Sequence, residues 1–320
     1  MPTSSEQITE RAADLAWSLW AELGVSGWRR SHTSHAIDPE RLILFTALLG
    51  DADPRLRDES TDWCITYGRY VSAARLRNLL AAQAPETQAA FGQTAATVNA
   101  NSILRWPRST EARPYRRTRR SAVADFTAPS LVVLRLRALF GVGARAEVLR
   151  AFVADPSARL SAADLAADLA AEAAYTKRNV AEALEALRMA GLLESAPLRN
   201  QRLYGLVDAG WLASLPGALP ESFPWWGSVF RILEGLITGL RGAEALSTRT
   251  RTVAASDVLR GLHADLQQVG VRVSGEQMGP GAWTTMQGLA TALPEAWASG
   301  EFANGASGPG ADQRRGSADR

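Results

Sequence analysis

The side chains of this 320-residue chain with the plainest chemical purpose are cations, suited to recognising phosphates and base edges rather than to making bonds. Thr176, Lys177 and Arg178 open a segment with a helical apolar period, so polar and basic groups share its exposed first turn. Arg199 and Arg202 lie at and beside a polar tip, Arg199-Asn200-Gln201, between two short apolar pieces. Among 35 basic residues Lys177 is the single lysine, leaving 35 − 1 = 34 arginines. With abundant alanine, that bias reads as genome composition, so arginine content alone is not a functional signal.

Residue sets that could support catalysis are fewer and less complete. His32 and His35 could offer two imidazoles to a metal, but spacing supplies no third ligand, and a polar loop after Trp28-Arg29-Arg30 accounts for them. Asp51, Asp53, Asp58, Glu59 and Asp62 lack the glycine and terminal glutamate of a calcium loop and suit helix N-termini instead. Gly141-Val142-Gly143 follows no convincing strand and precedes no Gly-Lys-Ser/Thr, so it is not a phosphate loop. No G-x-S-x-G or kinase signature occurs. Neither an enzyme, a metal site nor a cofactor is expected.

The elements that would position the cations lie within residues 141–207. One helix is expected from about Ala144 to Ala154, with Val148, Leu149 and Phe152 inward and Asp155-Pro156-Ser157 as its stop. Ser161 and Asp164 form a cap-like pair at the start of a second, with Leu165 and Leu169 inward. Tyr175-Thr176 opens the third, which buries Val180, Leu184 and Leu187 and ends near Gly191. Residues 192–195 and 202–206 read as two strands. Three helices followed by a hairpin is the order of a winged helix-turn-helix, whose third helix enters the DNA major groove.

This stretch, about a fifth of the chain, resembles winged-helix regulators of the broad bacterial ArsR and MarR-like group. The matching pieces are ARAEVLRAFVADPSARLSAADLA, YTKRNVAEALEALRMAGLL and RLYGL. The resemblance implies that Thr176, Lys177, Arg178, Asn179, Arg199 and Arg202 contact DNA, the last two from the wing. No metal-binding cysteine pair of the kind some ArsR sensors carry is present, so metal sensing does not transfer. Residues 141–207 hold eight basic and eight acidic residues, so DNA affinity there requires segregated charge.

Just upstream, residues 105–120 hold seven arginines against Glu111. Two prolines and no helical period make this a linker or an extended arm, and Arg113, Arg116, Arg117, Arg119 and Arg120 could track phosphates or enter a minor groove. Trp106 and Tyr115 could instead dock it on a neighbouring domain.

The fold class expected is mainly α: a central winged helix with a small two-stranded wing, flanked by helical domains. The expected divisions are a helical domain over 6–104, a basic linker over 105–128, the winged helix over 129–208, a helical dimerisation or effector domain over 223–299, and a disordered tail over 300–320. In the fourth of these, helices are expected near 225–246, 252–269 and 283–298, and Trp225, Trp226 and Trp283 suit either core packing or a ligand pocket. One cysteine, Cys64, excludes an intramolecular disulfide and fits a reducing compartment. No secretory signal or membrane span is apparent, so a cytoplasmic location is expected. The function these readings favour is sequence-specific transcriptional regulation by a homodimer on double-stranded DNA. The alternative is an antitoxin-like or adaptor role in which the helical domains bind a partner protein.

Overall fold

The computed structural model describes residues 4–26, 30–123, 125–173 and 175–302, and their side chains except those of 168–173. The amino-terminal helices are α1 (Ser4–Glu22), α2 (Pro39–Leu49), α3 (Pro54–Tyr67), α4 (Ala73–Ala81) and α5 (Pro85–Ala100). Local chemistry sets three of their starts. Asp38 and Asp53 accept backbone N–H groups ahead of a proline in the first turn, and Ser72 accepts the N–H of Arg75.

After an extended segment come α6 (Val132–Phe140), α7 (Ala144–Ala154), β1 (Leu160–Ser161), α8 (Ala162–Ala173), α9 (Lys177–Met189), β2 (Leu193–Leu198) and β3 (Gln201–Leu206). The strands form an antiparallel sheet in the order β1-β3-β2. β2 and β3 pair from Leu193↔Leu206 to Leu198↔Gln201. The turn is thus the two residues Arg199 and Asn200, shorter than the three-residue tip expected. Arg199 takes the positive φ of 52° that so tight a turn demands. Two elements were not expected. One is α6, whose VVLRLRALF carries buried Val132, Leu134 and Leu136. The other is β1, two residues that qualify as a strand only through pairing with Leu203 and Tyr204.

The carboxy-terminal helices are α10 (Trp226–Ala243), α11 (Thr248–Gly261), α12 (His263–Gln268), α13 (Gly275–Met278) and α14 (Ala282–Ala298). The helix expected over 252–269 is therefore two, α11 and α12, broken near Leu262.

The apolar faces condense into two cores that do not follow the expected boundaries. Leu15, Leu19 and Trp20 of α1 share one core with Leu236 and Leu240 of α10, Leu259 of α11 and Met286 of α14. The flanking helical regions are therefore a single body, because α1 lays its apolar face directly against α10 and α14. A second core joins α6–α9 and the sheet through Val132, Leu149, Phe152, Val180, Leu184, Leu193 and Tyr204.

Buried charge stitches the two cores together. Arg137 of α6 is fully buried and donates to Glu40 of α2 at 2.6 Å and to Glu147 of α7 at 2.7 Å. Arg75 of α4 reaches the same Glu40 at 2.7 Å. Burial opposes ionisation of Glu147, but Arg137 and Arg150 beside it hold its carboxyl below the usual range.

Residues 105–123 cross the amino-terminal helices as a strap rather than extending as an arm. Trp106 is buried and stacks on Phe91, with ring centroids 6.1 Å apart. Further along, Thr110 N–H donates to the Gly92 carbonyl, and Ala122 N–H to that of Gly24. The strap is held because its cations and aromatics find buried carboxylates and apolar surface on α3 and α5.

The loop bearing His32 also differs from expectation, since His32 is fully buried. Residues 300–302 fold back over it. His35 Nε2 lies 3.2 Å from the Gly300 carbonyl, and the Phe302 ring lies 5.1 Å from that of His35. The remainder of the expected disordered tail, 303–320, lies outside the described residues, as do Trp28 and Arg29 of that loop.

Candidate functional site

Helix α9 is built to present its first turn. Val180, Ala183, Leu184 and Leu187 are buried at helical spacing, which leaves residues 176–179 exposed at the start. Thr176 and Asn179 form a reciprocal cap. The Asn179 N–H donates to Thr176 Oγ1 at 3.2 Å, and Thr176 Oγ1 donates to Asn179 Oδ1 at 2.7 Å. These two side chains, expected among the DNA contacts, therefore first serve to cap the start of the helix.

Lys177 is exposed and makes no ion pair among the described residues. Arg178 turns along the helix and donates to Glu182 at 2.8 Å. Of the two wing cations, Arg199 sits exposed on the turn, and Arg202 lies 4.0 Å from Glu185, which Arg188 also binds at 2.6 Å. Acidic partners on the same face thus engage Arg178 and Arg202, while Lys177 and Arg199 keep their charge toward solvent.

Two further residues belong to this surface. Arg159 precedes β1 and crosses the sheet to donate to Glu194 at 2.8 Å. Gly205 makes room for it, since a Cβ there would collide with the guanidinium. Tyr175 is half-buried just before α9, and burial, followed by the charge of Glu147, pushes its phenol upward.

The strap divides its arginines. Arg113 donates to Gln93 at 2.7 Å. Arg117 donates to Thr66 at 2.8 Å and lies 3.6 Å from Asp62, while Arg120 lies 3.9 Å from Glu59. Tyr115 donates to Asp62 at 3.0 Å, and burial together with that carboxylate pushes its phenol up. Arg116 and Arg119 remain exposed. Glu59 and Asp62 are buried and anchor the strap, whereas Asp58 pairs with Arg57 of its own helix and Asp53 caps that helix.

No three or more His, Cys, Asp or Glu side chains among the described residues are grouped to hold a metal ion. Cys64 is buried, and burial raises its thiol. No helix among the described residues is long and apolar enough to cross a membrane. Comparison with known proteins finds no matching family model, no matching curated protein and no matching solved structure.

Proposed function

We propose that residues 129–208 form a winged helix that binds double-stranded DNA sequence-specifically, with α9 in the major groove and the β2–β3 turn against the backbone. The observation that carries this reading is the exposed first turn of α9, with Lys177 unpaired, set beside a hairpin whose tip presents Arg199. Three features add support. The order of α7, β1, α8, α9 and hairpin is that of winged helices, β1 pairs with the second hairpin strand, and the buried stripe of α9 keeps its opposite face clear. Direct readout needs donors at base edges and cations at phosphates, and this turn offers both. A neutral module makes few strong phosphate contacts, so Arg116 and Arg119 of the strap are a secondary source of charge. A homodimer on a two-fold site would double the contacts.

The test is an anisotropy titration of the full chain against DNA from upstream of its own gene, with scrambled competitor, at two salt concentrations. Competitor-resistant binding is the expected result. Binding that salt and competitor both erase refutes the sequence-specific reading.

A protein-binding role, antitoxin-like or adaptor, is the second reading. It is favoured by apolar side chains left open around the hairpin, where Met189 is 73% exposed, Val207 57% and Leu198 54%. Co-purification of one stoichiometric partner with loss on Val207→Asp would support it.

A further inference from the structure

The adjacent cations that open α9 are not chemically equivalent. Lys177 makes no ion pair among the described residues, whereas Arg178 is tied to Glu182 one turn further on. The tie has a defined geometry. Arg178 Nε donates to Glu182 Oε1 at 2.8 Å, while the arginine side chain stays 86% exposed. Its remaining donors, on Nη1 and Nη2, meet no acceptor among the described residues. Glu185, the next carboxylate along this face, is taken by Arg188 at 2.6 Å and leaves Arg178 to Glu182.

Helix stability does not account for the pair. The macrodipole favours carboxylates near the amino end of a helix and cations near its carboxy end. The order in α9 is the reverse, with no acidic residue in the first turn and Arg178 ahead of Glu182, the less stabilising sense for an i,i+4 pair. Nor does the pair suit a phosphate. Glu182 offsets the charge of Arg178 and repels a second anion, so Arg178 gains less from a phosphate than Lys177 does. A neutral base edge carries no such penalty. The paired acceptors O6 and N7 of guanine match the Nη fork, and a guanidinium already held through Nε loses less freedom on binding.

We propose that Glu182 is a positioning residue, which holds Arg178 for the O6 and N7 atoms of a guanine in the major groove while Lys177 serves the phosphates. This rests on α9 entering that groove. Removing the Glu182 carboxylate frees Arg178 to swing to a phosphate, so sequence preference falls while affinity for any duplex rises. A loss of helix stability would lower both together. Arg178 therefore contributes to sequence preference more than to salt dependence, and Lys177 does the reverse.

The test is selection of bound duplexes from a random-sequence pool by the full-length chain, followed by titration of the enriched duplex and of its scrambled form at two salt concentrations. Wild type should enrich a guanine whose replacement weakens binding at least about fivefold. Arg178→Ala should erase the preference at that position alone. Glu182→Gln should reduce it at least about threefold and tighten binding to the scrambled duplex. Glu185→Gln removes the same charge one turn on but leaves the partner of Arg178 in place, so the preference should survive. Lys177→Ala should weaken all duplexes alike and lower the salt dependence. None of these side chains is buried, and an unchanged circular dichroism spectrum verifies each fold. A guanine preference that survives Arg178→Ala, persists undiminished in Glu182→Gln, or falls equally in Glu185→Gln overturns the proposal and leaves the DNA reading intact. A wild-type chain that enriches no sequence overturns the sequence-specific reading itself, and this assignment with it.

Discussion

His32 places a pH-dependent cost inside the protein. Its ring is fully buried against Trp226, Phe302 and His35, with centroids 6.0, 5.9 and 5.9 Å away, and neither ring nitrogen has a partner. Burial, with His35 nearby, lowers the imidazole from 6.5 to about 3. The surrounding charges offer little relief. Glu22 is occupied by the His32 N–H at 3.4 Å, and burial raises its own carboxyl. Burial lowers His35 as well.

A base held neutral in the fold but free to protonate in the unfolded chain contributes fully above the unfolded value. Its contribution is lost as pH falls from 6.5 toward 3. At pH 5, about 1.5 units below the unfolded value, the loss at 1.36 kcal/mol per unit is about 2 kcal/mol. That figure changes little if the folded value moves by a unit, because the folded ring is neutral at pH 5 either way. The perturbation is His32→Leu, read by urea denaturation at pH 8 and pH 5. Wild type should lose about 2 kcal/mol more than the variant on acidification. The chain has three histidines, so ring resonances give a direct check. The signal that vanishes in the variant should keep its neutral shift down to pH 5. Equal losses in both proteins, or a normal titration of that signal near 6.5, refutes the reasoning.

Three further outcomes are expected. Lys177→Ala with Arg178→Ala should abolish specific DNA binding with the melting temperature unchanged, both side chains being exposed, and retained affinity in the folded double variant removes α9 as the reading element. Arg137→Met leaves Glu40 and Glu147 buried without their shared partner and should cost about 3–5 kcal/mol by denaturant titration, so a loss under about 1 kcal/mol would show that the network is not holding the two cores together. Glu59→Gln with Asp62→Asn removes the carboxylates under Arg120 and Arg117, and trypsin should then cut the arginines of 105–120 several-fold faster; unchanged cleavage would mean that Trp106 and the backbone contacts hold the strap alone.

Features with local causes were legible in the residues. Asp38-Pro39, Asp53-Pro54 and Ser72 start the helices they mark, because an N-cap and a first-turn proline act within four residues of themselves. The face of α9 follows from Val180, Leu184 and Leu187 at a helical period, and its exposed turn follows from what remains. Strand β1 was illegible for the opposite reason: two residues have no period, and only β3 makes them a strand. The seven arginines of 105–120 read as a linker, an extended arm or a segment docked by Trp106 and Tyr115, and the choice was not legible because their counter-charges, Glu59 and Asp62, lie more than fifty residues earlier on α3. Arg137 looked like any arginine in an apolar run, although it is the most deeply buried charge of the α6–α7 pair.

Periodicity and caps in the sequence determined the mainly helical class, the span of most helices and the polar, basic start of α9. Those properties depend on side chains three or four positions apart, which the chain keeps adjacent whatever else it does. The tertiary structure alone decided that the first and last helical regions share one core, that the strap is docked and that His32 is buried. Each of these joins residues that only the burial of apolar faces brings together, and the free energy of that burial depends on area rather than on separation along the chain.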